Sequence, residues 1–235
     1  MRLLTGLLFV LAACASATDP APTSMAVSPA PAPASSGPGS YLALGDSYTI
    51  GEGVASPAER WPNQLAVLAR AQGLQVANPD IIAKTGWTTT HLLAALDAAP
   101  TTRTDYGLVT LLIGVNDQYD GYALSTFRTE FRKLLGRATT YAGGRSGRVV
   151  VLSIPDWGRA PFASILDPVH IGQQIDQFNA VAQDECQQAG IAFVNITPLT
   201  RSVTPADFVA DGLHYSGASM TAWAQRALGA VKQLN

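Results

Sequence analysis

The feature that most constrains this sequence is the alternation of short apolar runs with segments of helical period from Tyr41 onward. Strands are predicted at 41–44, 108–113 and 149–154, and segment 108–113 lacks polar alternation, as expected of a strand that helices cover on both faces. A weaker strand is predicted at 81–83 and a further strand at 191–194. Helices are predicted at 58–71, 88–98, 125–141, 171–189 and 217–234. The pattern therefore predicts one α/β domain with a five-stranded parallel sheet.

Polar clusters follow three of the predicted strands and precede the last helix. Gly-Asp-Ser at 45–47 follows the first strand, Gly86 follows the second, and Asn116 follows the third. The fourth cluster contains Asp211 and His214. Functional loops of an open parallel sheet lie at the carboxyl ends of its strands. We therefore expect the four clusters to meet at one edge of the sheet.

Three of these residues have the chemistry of a nucleophile, a base and an orienting acid. A serine hydroxyl attacks a carbonyl only when a base removes its proton, and a third group must fix the base's tautomer. Ser47, His214 and Asp211 suit these roles, and their arrangement predicts a drop in activity on acidification. The alternative for Ser47 is a helix N-cap. The other histidines, His91 and His170, have no aspartate at a matching offset.

Acyl transfer also requires donors that face the developing oxyanion. The candidates are the backbone N–H of Ser47, the N–H of Gly86 and the side-chain amide of Asn116. Two nearby carboxylates are expected to support loops: Asp117 is expected to stabilise the Asn116 loop, and Asp46 is expected to accept loop hydrogen bonds.

The four clusters together resemble the sequence blocks of the SGNH/GDSL hydrolase superfamily. The matching residues are Ser47, Gly86, Asn116 in Gly-Val-Asn-Asp and His214 in Asp-Gly-Leu-His, and the resemblance spans about 41–234. It implies a flavodoxin-like three-layer α/β/α sandwich and ester or thioester hydrolysis through an acyl-serine intermediate, without metal or cofactor. The nearest likeness is to lysophospholipase and arylesterase-like members. The nucleophile elbow Gly-x-Ser-x-Gly is absent, because residue 49 is threonine.

The substrate is left open as a short acyl ester, an acetylated glycan or a lysolipid. Trp87, Tyr119 and Trp157 either line a substrate pocket or seal their loops. Cys186 lies on an apolar helical stripe and is expected in the core.

Two other classes of function are weighed against hydrolysis by serine. One is a surface protein that binds glycan or lipid without turnover. The other is metal-dependent hydrolysis by Asp117, Asp211 and His214, which lack a dense ligand pattern.

The beginning of the chain predicts export. The apolar run 3–13 is too short for a membrane span and ends in Leu-Ala-Ala-Cys, which resembles a bacterial lipobox. We expect a signal peptide at 1–14, with lipidation of Cys14 anchoring the protein to a membrane of the cell envelope. The alternative is ordinary cleavage near Ala15 or Ala17.

Residues 15–40 are rich in proline, alanine and serine and are expected to form a disordered tether that reaches about 80 Å at most. The predicted hydrolase domain is 41–235. The chain has 15 Lys+Arg against 17 Asp+Glu and no basic run, which excludes nucleic acid as an expected partner. The sequence does not predict an oligomeric state.

Overall fold

The structure, a computed structural model, describes residues 39–98 and 103–234. Its centre is a five-stranded sheet in which every neighbouring pair runs parallel, in the order β2-β1-β3-β4-β5. The strands are β1 (Tyr41–Gly45), β2 (Pro79–Ala83), β3 (Leu108–Leu112), β4 (Val149–Leu152) and β5 (Ala192–Val194). The predicted five-stranded parallel α/β fold is therefore confirmed.

Burial follows the position of each strand in the sheet. The three central strands β1, β3 and β4 are buried along their whole length, whereas the edge strands β2 and β5 are partly exposed. This difference explains why the buried strand β3 is continuously apolar in sequence and why the edge strand β2 gave a weaker signal.

Helices flank the sheet in two layers. α2 packs against α8, while α5 packs against both α3 and α6. The helices are α1 (Ser47–Ile50), α2 (Trp61–Ala71), α3 (Thr89–Ala98), α4 (Val115–Tyr119), α5 (Leu124–Tyr141), α6 (Pro168–Ala189), α7 (Thr197–Arg201) and α8 (Gly217–Val231).

The long helices occur where helical periodicity predicts them, but some of their ends differ. The second helix begins at Trp61 rather than at residue 58, because Pro57–Glu59 forms a separate 3-10 turn and Arg60 has an extended backbone. The sixth begins at Pro168 rather than at 171, where Asp167 caps it. The short helices α1, α4 and α7 were not predicted, since four or five residues are too few to show a period.

Several predictions concern residues outside the described ranges. The predicted signal peptide, Cys14 and the predicted tether up to residue 38 belong to this part of the chain. Within the described ranges, no helix has the length and apolar character needed to cross a membrane. Cys186 is fully buried on α6, as its helical stripe predicts, and burial raises the pKa of its thiol to about 12.

The close packing of α1 against the end of β1 depends on Gly45. A Cβ atom at this position would lie 2.1 Å from Thr49 Oγ1 and 2.4 Å from the carbonyl oxygen of Leu112. Any larger residue would therefore push the first turn of α1, with Ser47, away from the sheet.

We predict that Gly45→Ala destabilises the fold by about 1–3 kcal/mol, because overpacking against backbone cannot be relieved by a side-chain rotation. Urea unfolding measures the change. Gly136→Ala is the matched control, since Gly136 lies in α5 and, among the described residues, an added Cβ would meet no atom within 4 Å apart from its chain neighbours and the backbone of its own helix. That control is expected to be neutral or stabilising by up to ~1 kcal/mol. Equal shifts in both variants would contradict the packing argument.

Candidate active site

A cavity of about 220 Å³ lies beside the loops that follow the strands. All four predicted clusters contribute to it, through Ser47, Gly86, Asn116 and His214. Its lining residues are Ser47, Tyr48, Thr85, Gly86, Val115, Asn116, Tyr119, Trp157, Phe162, Leu213 and His214. The structure thus brings together residues that are as far apart in sequence as 47 and 214.

Ser47 is the first residue of α1 and is almost completely buried. The N-cap of this helix is Asp46, whose Oδ1 accepts a hydrogen bond of 3.0 Å from the N–H of Tyr48. Asp46 therefore acts as the expected loop acceptor, and the N-cap alternative for Ser47 is wrong. As the first helical residue, Ser47 has a backbone N–H with no acceptor inside the helix.

Asp211 and His214 form a hydrogen-bonded pair within one short loop. Asp211 Oδ2 lies 2.6 Å from His214 Nδ1, and Asp211 Oδ1 accepts from the N–H groups of Leu213 and His214 at 2.8 and 2.9 Å. Partial burial opposes ionisation of Asp211, but these hydrogen bonds hold the pKa of its carboxyl below the ordinary value. The carboxylate consequently favours the tautomer of His214 that carries its proton on Nδ1.

Backbone hydrogen bonds join the residues before Asp211 to the residues at and after His214. Phe208 and Tyr215 form an antiparallel bridge, and the N–H of Val209 donates to the carbonyl of His214 at 2.8 Å. The ring of Tyr215 packs behind Tyr48, whose own ring lies 5.6 Å from that of His214. Aromatic packing therefore fixes the imidazole from the interior side.

Ser47 and His214 line the same cavity, and no hydrogen bond joins their side chains in the described part of the chain. Catalytic hydrogen bonds are often long before substrate binds. The predicted transfer of a proton between these two residues stays a prediction.

The predicted oxyanion donors lie on three neighbouring loops. Gly86 has a φ of +79°, a backbone conformation that favours glycine, and it is exposed to the cavity. Asn116 Nδ2 donates to the carbonyl oxygen of Trp87 at 2.9 Å. This bond uses one of the two amide protons and orients the side chain, so the second proton is available to a ligand.

Asp117 supports the loop rather than facing the cavity, as favoured from the sequence. It is fully buried, and its carboxylate accepts from both the N–H and the hydroxyl of Thr89 at the start of α3. Burial raises the pKa of Asp117, while the Thr89 hydrogen bonds oppose this increase. Thr89 was not singled out in the sequence, because a threonine after a loop has many ordinary roles.

The three aromatic candidates differ in position. Trp157 and Tyr119 line the cavity with their ring centres 5.4 Å apart, and Trp157 Nε1 donates to Gln118 Oε1 at 2.6 Å. Trp87 is not among the lining residues, since its side chain packs against the hydrophobic core. Phe162 and Gln118 were missed, because neither has a sequence pattern that marks it.

The other two histidines are on helix termini. His91 Nδ1 lies 3.0 Å from the hydroxyl of Thr88, which caps α3 as predicted, and His170 is exposed in the first turn of α6. Across residues 39–98 and 103–234, no three His, Cys, Asp or Glu side chains are grouped so that they could hold a metal ion.

A model of the GDSL-like Lipase/Acylhydrolase family matches residues 43–222, which is most of the chain and includes every residue discussed at the cavity. The chain belongs to this family. Comparison with curated protein sequences gives no significant match.

Several solved structures share this fold. TesA has a TM-score of 0.66 at 21% identity over 83% of this chain and 99% of its own. A lipase/acylhydrolase from Enterococcus faecalis has a TM-score of 0.65 at 21% identity, covering 82% and 95%. Axe2, an acetylxylan esterase from Geobacillus stearothermophilus, has a TM-score of 0.61 at 18% identity, covering 82% and 93%. At these identities the likeness establishes the fold.

The residue before Ser47 makes folding of this GDSL-family chain dependent on pH. Burial raises the pKa of Asp46 to about 8, the nearby Asp117 adds to this effect, and Asp46 Oδ2 has no hydrogen-bond partner within residues 39–98 and 103–234. The unfolded carboxyl titrates near pH 4. The folded state therefore retains a proton that the unfolded state loses, and stability decreases as pH rises from about 4 to about 8.

We predict that Asp46→Asn removes this contribution. The free energy of unfolding of the variant, relative to the unsubstituted protein, should increase with pH by up to ~1.4 kcal/mol per unit between pH 4 and 8 and then level off. Urea unfolding at a series of pH values measures the difference. A constant difference across this range would show that Asp46 has an ordinary pKa in the fold.

Proposed function

We propose that the chain is a serine esterase that hydrolyses carboxylic esters through an acyl-serine intermediate. The observation that carries the proposal is the 2.6 Å contact between Asp211 and His214 on the rim of a cavity that Ser47 also lines. With its proton on Nδ1, His214 has a lone pair on Nε2 that can accept the proton of a hydroxyl. Membership of the GDSL-like family supports this chemistry.

The reaction proceeds in two halves. Ser47 Oγ attacks the ester carbonyl carbon while His214 takes the hydroxyl proton, and the protonated imidazole then gives that proton to the leaving alcohol as the ester C–O bond breaks. Water then attacks the acyl carbon of the acyl-enzyme while His214 takes a proton from it, and the imidazolium returns that proton to Ser47 Oγ as the bond from Oγ to the acyl carbon breaks and the acid is released. Asp211 stays ionised and stabilises the imidazolium in both halves.

The tetrahedral intermediate places negative charge on the former carbonyl oxygen. The N–H groups of Ser47 and Gly86 and the second amide proton of Asn116 are the proposed donors to this oxygen. They belong to loops that follow three adjacent strands, so their positions are set by the sheet before substrate binds. Such preorganised donors each contribute about 10²–10³ in rate.

The acyl group is proposed to occupy the part of the cavity lined by Val115, Trp157, Phe162 and Leu213, whose side chains are apolar or largely so. Short acyl esters, acetylated glycans and lysolipids all present the required carbonyl. Among structures of the same fold, Axe2 is an acetylxylan esterase, and EstA from Pseudoalteromonas sp. is an esterase that was solved inhibited by monoethylphosphonate. They support the reaction class for this chain.

We also propose that the protein is exported and anchored to a membrane of the cell envelope through lipidated Cys14. The support is the apolar run 3–13 followed by Leu-Ala-Ala-Cys. Growth with an alkyne-bearing fatty acid should label the full chain, and Cys14→Ser should abolish the label. Retained label in this variant would contradict the assignment.

We predict that a fluorophosphonate probe labels the protein once and that Ser47→Ala abolishes both labelling and hydrolysis of p-nitrophenyl acetate, with a loss of about 10³-fold or more in rate. Ser125→Ala is the matched control because Ser125 is exposed on α5, and it should label fully. Labelling of the Ser47 variant would exclude this nucleophile. If the unsubstituted protein is folded but hydrolyses no ester, the alternative of a surface protein that binds without turnover is favoured.

We predict that Asp211→Asn lowers kcat by about 10²–10⁴-fold with little change in KM, because the amide cannot hold the imidazole in its basic tautomer or stabilise its charge. Asp120→Asn, at an exposed acid that ends α4, should leave both constants unchanged. Activity of the unsubstituted protein should fall on acidification, because protonated His214 cannot accept the Ser47 proton. An undiminished kcat in the Asp211 variant would remove Asp211 from the mechanism.

A further inference from the structure

Five exposed large apolar side chains include two, Tyr119 and Phe162, that line the cavity and three that follow Phe162 closely in the chain. Three of the five, Phe162, Ile165 and Leu166, belong to the segment that connects the loop after β4 to α6, and Val169 lies in the first turn of α6. Their exposed fractions are 58% for Tyr119, 47% for Phe162, 92% for Ile165, 44% for Leu166 and 63% for Val169. We call these five residues the apolar rim. Apolar patches of this kind on a soluble domain commonly mark an interaction site.

The apolar rim is continuous with the cavity. Tyr119 and Phe162 belong to both, and the ring of Trp157 lies between them at 5.4 and 6.5 Å. The segment is also attached to the loop that carries the proposed base, since the N–H of Phe162 donates to the carbonyl of Gly212 at 2.9 Å. A molecule held on the apolar rim would therefore have its polar end near His214.

The chemistry of the apolar rim matches hydrocarbon rather than sugar. Its most exposed members are aliphatic, whereas sugar binding requires aromatic faces combined with hydrogen-bonding side chains. Segment 159–170 contains one arginine, one aspartate and one histidine, so it has no marked charge of either sign. The carboxylate of its aspartate, Asp167, accepts from the N–H groups of Val169 and His170 at the start of α6. The driving force for binding is therefore burial of apolar area.

The size of the apolar rim argues against a second copy of the chain as the occupant. With about 200 Å² for a whole large side chain, the exposed fractions amount to roughly 600 Å², against the roughly 800 Å² per partner that a stable interface buries. Ile165 is 92% exposed and therefore protrudes from its loop. A partner protein would need a complementary surface shaped to receive it. A fluid layer can surround protruding side chains without such complementarity.

We propose that the apolar rim docks on the surface of a lipid bilayer or micelle, with Ile165 and Leu166 inserted among the acyl chains. Docking places the cavity mouth against the lipid surface, so that an amphipathic ester reaches Ser47 without passing through bulk water. The substrates would then be esters of aggregated lipids, and this part of the proposal rests on the proposed esterase function. Docking itself does not require the reaction and is tested without it.

The first experiment uses the full chain carrying Ser47→Ala and Cys14→Ser, so that no hydrolysis or lipidation occurs and the buried Cys186 is the remaining thiol. Ile165→Cys and, as the control, Val67→Cys are each labelled with a nitrobenzoxadiazole fluorophore. Val67 is a large apolar residue of α2, in the other helix layer, with 57% exposure. Vesicles of phosphatidylcholine and of phosphatidylglycerol are then added.

We expect the emission at position 165 to shift to the blue and to increase severalfold with both lipids, and the emission at position 67 to stay unchanged. The proposal is overturned by no change at 165, by equal changes at both positions, or by a change confined to phosphatidylglycerol. A shift at 165 that grows with protein concentration in the absence of vesicles would instead identify a second copy of the chain and also overturn it.

The second experiment uses the chain with Ser47 intact. The double variant Ile165→Ser, Leu166→Ser should hydrolyse micellar lysophosphatidylcholine about tenfold more slowly and soluble p-nitrophenyl acetate at the original rate. Val67→Ser should leave both rates unchanged. An equal loss on both substrates, or none on micelles, contradicts docking. Absence of turnover in the unsubstituted chain would contradict the esterase function. The vesicle experiment would then still test docking by itself.

Discussion

Everything at the proposed site depends on the parallel direction of the five strands. Because all carboxyl ends lie at one edge, the loops after β1, β2 and β3 bring Ser47, Gly86 and Asn116 to one cavity. Ser47 and Asn116 follow the buried central strands β1 and β3, and Gly86 follows the edge strand β2, which pairs with β1. The proposed donors for a developing oxyanion thus have positions set in advance by the fold, which is the condition for efficient electrostatic stabilisation.

The proposed base, His214, does not follow a strand of the sheet. Hydrogen bonds within its own loop hold it in position. Its loop closes through the bridge between Phe208 and Tyr215, and Asp211 makes hydrogen bonds to both the backbone and the ring of His214. The same loop accepts a hydrogen bond from Phe162. Base, orienting acid and the segment with the apolar rim are consequently one connected unit, which links the chemistry to the surface that is proposed to meet lipid.

Much of this arrangement could be predicted from the sequence, for reasons that are specific to each part. The central strands are buried on both faces and therefore appear as uninterrupted apolar runs, and long amphipathic helices have a clear period. The bounds of the short helix α1 were not predicted. The N-cap role was therefore weighed for Ser47, whereas the structure gives it to Asp46. The contact of Gln118 with Trp157 and the position of Phe162 depend on tertiary packing across loops, for which the sequence contains no local signal.

The most direct test of the central claim is a crystal structure of the protein after reaction with diethyl p-nitrophenyl phosphate, a reagent that leaves a tetrahedral phosphorus on an activated serine. The account predicts a bond from phosphorus to Ser47 Oγ, with the phosphoryl oxygen within about 3 Å of Ser47 N, Gly86 N and Asn116 Nδ2. Phosphorus on any other side chain, or a phosphoryl oxygen directed away from these three donors, would contradict it.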